Sequence, residues 1–94
     1  MNYFYVYILK CRDGSFYVGH TDDLERRIAE HQKGTCAGYT AAHRPVELVW
    51  VEQCSSRDEA FITEQRIKSW SRNKKIALIQ QKINVLRQLS KKQF

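Results

Sequence analysis

The chain has 94 residues, 43% of them hydrophobic and 28% charged, a length that makes one domain burying roughly 60–65% of its unfolded surface and leaves no room for a second. No apolar run reaches the roughly 18–20 residues of a membrane span, and Met1 leads straight into a strand-like pattern instead of a basic then apolar leader, so a cytoplasmic protein with no membrane contact is expected. The net charge of +6 divides unevenly, with all ten Asp and Glu at or before Glu64 and nine Lys or Arg after it, which is the footprint of a polyanion partner or of a plain solvated helix face.

Residues 3–9 (YFYVYIL) are apolar on both faces and rich in aromatic and β-branched types, which predicts a central strand. A second strand is expected over 16–19, after Arg12-Asp13-Gly14. Two registers are open. A two-residue Asp13-Gly14 loop pairs Lys10 with Tyr17 and sends Tyr17 to the face opposite Tyr7. A three-residue loop with Gly14 left-handed pairs Leu9 with Tyr17 and makes Tyr7 and Tyr17 diagonal neighbours on one face.

Asp22 and Glu25 have the spacing of an N-cap pair, and Gly34 is a natural stop, so a helix is expected over 22–33. Leu24 and Ile28 define its buried stripe, and helical spacing puts Arg27 and His31 on the same face. A long arginine on such a face often only snorkels; with a histidine one turn on, the pair reads as a site. Residues 35–44 (TCAGYTAAHR) have no period and read as an excursion ending at Pro45. A third strand follows over 46–51. Ser56 and Glu59 form a capping box for a helix over 57–69 with Ala60, Phe61, Ile67 and Trp70 as its apolar stripe.

Glu64 sits inside that stripe. A carboxylate there needs a metal, a route to solvent or a cation such as arginine, since breaking a buried pair costs several kcal/mol. Ser71 can cap a third helix with Ile76, Ile79, Ile83 and Leu86 at helical spacing under Arg72, Lys74, Lys75 and Lys82. Residues 88–94 are expected to fray, which divides the chain into a domain over 1–83 and a basic helical tail over 84–94. Cys11, Cys36 and Cys54 are odd in number and contain no CxxC, which predicts free thiols.

Taken together these residues resemble the GIY-YIG nuclease domain, in particular its small stand-alone bacterial members. Tyr5-Val6-Tyr7 stands where that family has GIY, Tyr17-Val18-Gly19 where it has YIG, Leu24-Glu25-Arg26-Arg27 supplies the helical arginine, and Glu64 lies on the later helix. The resemblance runs from about Tyr3 to Ile79. It implies an α+β fold, a three-stranded antiparallel sheet flanked by helices, and the three-residue register, since the family's two tyrosines share a site. Tyr5 replaces the usual glycine of GIY, as in many stand-alone members. His20 stands where some relatives carry lysine, and no part of the chain resembles the separate DNA-binding domain that many relatives append.

The implied activity is metal-dependent hydrolysis of phosphodiesters, most simply in DNA that is branched, nicked or single-stranded, in settings such as DNA repair. Tyr17 is then the general base or the group that orients water, Tyr7 supports it, and Arg27 stabilises the phosphorane. His31 assists proton transfer, and Glu64 holds Mg²⁺ or Mn²⁺. Lys10, His20, Arg72, Asn73, Lys74 and Lys75 are expected on the nucleic acid, Asn73 matching an asparagine frequent in the family's sites. An unperturbed tyrosine, with a pKa about 10, is only ~0.1% ionised at pH 7, so Tyr17 needs help from Arg27, the metal, the neighbouring Lys10 or a relay through His31. The alternatives are a non-catalytic nucleic-acid-binding module on the same scaffold, and an interaction domain that uses the 76–86 stripe to hold a protein partner or a second copy.

Overall fold

The computed structural model describes residues 3–35 and 38–92, with 83–92 described by backbone alone. Strand β1 (Phe4–Lys10) lies between β2 (Phe16–Thr21) and β3 (Glu47–Cys54) in one antiparallel sheet of order β2-β1-β3. That central place is why β1 is apolar on both sides: Val6, Tyr7, Ile8 and Leu9 are all buried, and alternate residues serve two cores. On one face Val6, Ile8 and Val18 pack with Trp50, Cys54, Ala60, Ile67 and Ile79. On the other, Tyr7 and Leu9 pack with Cys11 and Val46, edged by Tyr17, Leu24 and Ile28. Each such aliphatic side chain contributes roughly 1.5–3 kcal/mol by leaving water.

The hairpin adopts the three-residue turn. Leu9 pairs with Tyr17 and Tyr7 with Gly19. The Cys11 N–H donates to Ser15 O at 2.8 Å and the Gly14 N–H to Cys11 O at 2.9 Å, with Gly14 at φ 87°. A residue with a Cβ is strained at that angle, so Gly14 fixes the register. Tyr7 and Tyr17 therefore share the face that carries Leu24 and Ile28.

Helices α1 (Leu24–Lys33) and α2 (Gly38–Ala42) precede β3, and α3 (Arg57–Lys68) and α4 (Arg72–Lys92) follow it. α1 starts at Leu24, two residues later than expected, and its cap lies one residue further on. Its N-cap is Asp23, whose carboxylate accepts from the Arg26 N–H at 3.2 Å, because Thr21 Oγ1 binds the Asp23 backbone and turns the chain one step further. Asp22 instead pairs with Arg57 at 3.7 Å. Gly34 ends the helix in the left-handed conformation, as expected.

The stretch expected to be an excursion with no clear period contains α2, pinned by several contacts. The Tyr39 hydroxyl donates to Ser15, the Arg12 N–H donates to His43 O at 3.0 Å, and His43 meets Asp13 at 3.5 Å. Cys36 lies outside the described residues; Cys11 and Cys54 are free and buried.

α3 keeps half of its capping box: Ser56 Oγ accepts from the Glu59 N–H at 3.1 Å, while the Glu59 carboxylate accepts from Ser55. Its buried stripe is Ala60, Glu64 and Ile67. Phe61 is 51% exposed, a correction to the expected stripe, because it sits a helical step away from that line. Ser71 Oγ accepts from the Lys74 N–H at 3.2 Å at the start of α4. α4 then runs unbroken to Lys92, through the stretch from 88 expected to fray. Residues 93–94 and the side chains of Ile83 and Leu86 lie outside the described residues.

Candidate active site

β1, β2 and α1 bring four of the five residues expected to do chemistry to one face. Tyr7 is 1% exposed and His31 fully buried, with the Tyr7 hydroxyl 2.9 Å from His31 Nε2. The other ring nitrogen, Nδ1, lies 2.8 Å from the Thr40 hydroxyl on α2. Tyr17, half-buried beside them on β2, meets the edge of the His31 ring with centroids 5.0 Å apart. Both His31 nitrogens have hydrogen-bond partners, Tyr7 and Thr40, and the Tyr17 ring lies against the imidazole at a steep angle.

Arg27 lies one helical turn before His31, half-buried, with Nε 3.2 Å from Glu30. It lines a pocket with Thr21, Asp22, Asp23, Arg26 and Glu30. Burial first, then the Arg27 charge, push His31 below the ordinary imidazole value of 6.5, with Glu30 opposing. His31 is therefore neutral at pH 7, one nitrogen carrying a proton and the other a lone pair. Gly19 leaves room for Tyr7: a Cβ there would lie 2.6 Å from the Tyr7 hydroxyl oxygen.

Glu64 stands on the other side of β2. It is 7% exposed; His20 Nδ1 donates to its Oε1 at 2.8 Å, while Lys68 Nζ at 3.0 Å and Gln65 Nε2 at 3.1 Å donate to its Oε2. The counter-charge is thus Lys68, where an arginine was one expectation, and His20 adds a hydrogen bond. Lys68 was legible from its spacing four residues after Glu64; His20 was not, because the contact spans 44 positions. Among the described residues no group of three or more His, Cys, Asp and Glu is placed to hold a metal ion. A single carboxylate is a hard oxygen donor of the kind that suits a divalent cation keeping most of its waters, and its ion-pair partner Lys68 lies half in solvent.

The expected nucleic-acid contacts are scattered. Lys10 pairs with Phe16 and lines a groove with Glu47, Val49, Arg72 and Ile76, on the face opposite Tyr17, so its expected help to Tyr17 is corrected by the register. Arg72 donates to Gly14 O at 2.7 Å and covers the Phe16 ring at 4.8 Å. Lys74 lies over Trp70 at 4.3 Å, Asn73 is exposed and Lys75 half-buried. His20 is bound to Glu64.

The family description that matches, "GIY-YIG catalytic domain", covers residues 3–77. The chain belongs to the GIY-YIG family. Among its relatives is a UPF0213 protein of Staphylococcus saprophyticus, 47% identical over 79 residues, covering 84% of this chain and 96% of that protein. Another, from Bacillus pumilus, is 47% identical over 77 residues, covering 82% and 79%. The solution structure of the UPF0213 protein BH0048 from Bacillus halodurans is similar with a TM-score of 0.57 at 44% identity over 85% of each chain. That of protein EF2693 from E. faecalis gives 0.60 at 37% identity over 86% of each. The GIY-YIG assignment covers both tyrosines, Arg27, His31 and Glu64. No helix among the described residues is long and apolar enough to cross a membrane.

Proposed function

We propose that this GIY-YIG domain is a divalent-metal-dependent endonuclease that hydrolyses phosphodiester bonds in DNA. The observation that carries the reading is the meeting of Tyr7, Tyr17, Arg27 and His31 on one side of β2, with Glu64 on its other flank. Tyr17 takes or orients the proton of the attacking water. Tyr7, held by His31, supports it at the adjacent diagonal position of the sheet. Arg27 places a permanent positive charge where the phosphorane develops negative charge. Glu64 holds the divalent cation, which supplies Lewis-acid stabilisation of the phosphoryl oxygens.

The test is incubation with flap, nicked, branched and single-stranded DNA, and with RNA, in Mg²⁺, Mn²⁺ or EDTA. Cutting is expected only with a metal. Tyr17→Phe should slow it by about 10²–10⁴ and Arg27→Ala by about 10²–10³. Metal-dependent cutting that survives these changes and Glu64→Ala removes the assigned site. One observation favours a second reading: Glu64 already has its charge met by Lys68 and its oxygens hydrogen-bonded by His20 and Gln65, as in a non-catalytic module that holds nucleic acid through its basic helices. That reading predicts salt-sensitive affinity unchanged by Tyr17→Phe and no cutting of any substrate.

A further inference from the structure

We propose that Thr40 is a positioning residue that fixes the tautomer of His31, and through it the direction of the Tyr7 hydroxyl. Thr40, His31 and Tyr7 form an unbroken buried chain, with Nδ1 2.8 Å from Thr40 Oγ1 and Nε2 2.9 Å from the Tyr7 oxygen. A neutral imidazole has one N–H and one lone pair, so the chain has two polarities. Either Nδ1–H donates to Thr40 and Tyr7 donates to Nε2, or every bond is reversed. A phenol is a far stronger acid than an aliphatic alcohol, and the imidazole lone pair is the best acceptor in the chain. The stable arrangement matches those two: Tyr7 O–H donates to Nε2, and the remaining Nδ1–H needs an acceptor, which Thr40 Oγ1 supplies.

α2 delivers that acceptor at a fixed place. It is tied to the β1–β2 turn through Tyr39 to Ser15, His43 to Asp13 and the Arg12 N–H to His43 O, so Thr40 is anchored to the same hairpin that carries both tyrosines. Arg44 adds a tie to the end of α1, donating to Lys33 O at 3.1 Å. With its proton directed inward to His31, the Tyr7 hydroxyl is held in one orientation beside Tyr17 on the same face. The catalytic consequence rests on the nuclease reading; the tautomer does not.

The test compares wild type with Thr40→Val, which keeps the shape and removes the hydroxyl, and Thr40→Ser, which keeps the hydroxyl. In ¹⁵N NMR of the substrate-free protein at pH 7, wild type and Thr40→Ser should show His31 protonated at Nδ1, and Thr40→Val should shift it toward Nε2–H. In cleavage, Thr40→Val should lower kcat by about tenfold or more with KM nearly unchanged, and Thr40→Ser should restore it. An Nε2–H tautomer in wild type, or a tautomer unmoved in Thr40→Val, overturns the proposal. The wild-type measurement decides even if Thr40→Val does not fold. Failure to cut any substrate counts against the nuclease reading and leaves the tautomer result standing.

Discussion

Gly19 and Tyr7 depend on each other. A methyl group at position 19 would lie 2.6 Å from the Tyr7 oxygen and 2.7 Å from its Cζ, and a ring only 1% exposed has nowhere to go. Gly19→Ala should therefore cost about 1–3 kcal/mol, seen as a lower urea midpoint, and pull the Tyr7 hydroxyl from His31. An unchanged midpoint would mean that the ring yields without loss. His31 gives a second outcome at this scale. Its folded-state pKa lies below the ordinary 6.5, so the unfolded chain binds the proton more readily. The resulting stability is complete above the unfolded value and is lost as pH falls from there through the folded value. Urea midpoints should drop as pH falls below the ordinary imidazole value of 6.5, and His31→Gln should flatten that part of the curve. A wild-type curve as flat as the variant's would contradict the burial that causes the shift.

At the scale of elements, α1 tests how finely a sequence can be read. Its polar start was legible, but Asp22 and Asp23 are both good caps, and only the Thr21 contacts to the Asp23 backbone choose between them. Asp23→Ala should cost about 1 kcal/mol and Asp22→Ala less than about 0.5, by urea or thermal unfolding. Equal losses would show that the cap is shared.

The same limit runs through the site. Arg27 and His31 were visible because a 3.6-residue period puts them beside Leu24 and Ile28, and Glu64 because it interrupts an apolar stripe. The sharing of a face by Tyr7 and Tyr17 turned on one residue, Gly14, whose left-handed φ of 87° sequence permits without requiring. Thr40 carried no signal. It lies in a stretch without period, and its contact to His31 depends on how α2 is tied to the hairpin. Phe61 went astray for the opposite reason: an aromatic next to a stripe looks buried, and its ring instead meets His20 edge-on, with centroids 6.1 Å apart.

Across the whole molecule, the sheet separates two environments. Tyr7, Tyr17, Arg27 and His31 lie on the α1 face; His20, Glu64 and the helices bearing most of the positive charge lie on the other. β2 is an edge strand, so a polyanion wrapping that edge reaches both without crossing the core. The basic residues are not equivalent in such an arrangement. Arg72 is committed to the hairpin through Gly14 O and Phe16, so its removal should lower stability as well as affinity. Asn73 and Lys74 are exposed and Lys75 half-exposed on the first turn of α4. If those lysines neutralise phosphates, the pair Lys74→Gln and Lys75→Gln should reduce the slope of log affinity against log salt by about two, with the unfolding midpoint nearly unchanged. Arg72→Ala should change the slope by about one and also lower the midpoint. A slope indifferent to both lysines would move the phosphate path off α4 and onto the Arg27 side of β2.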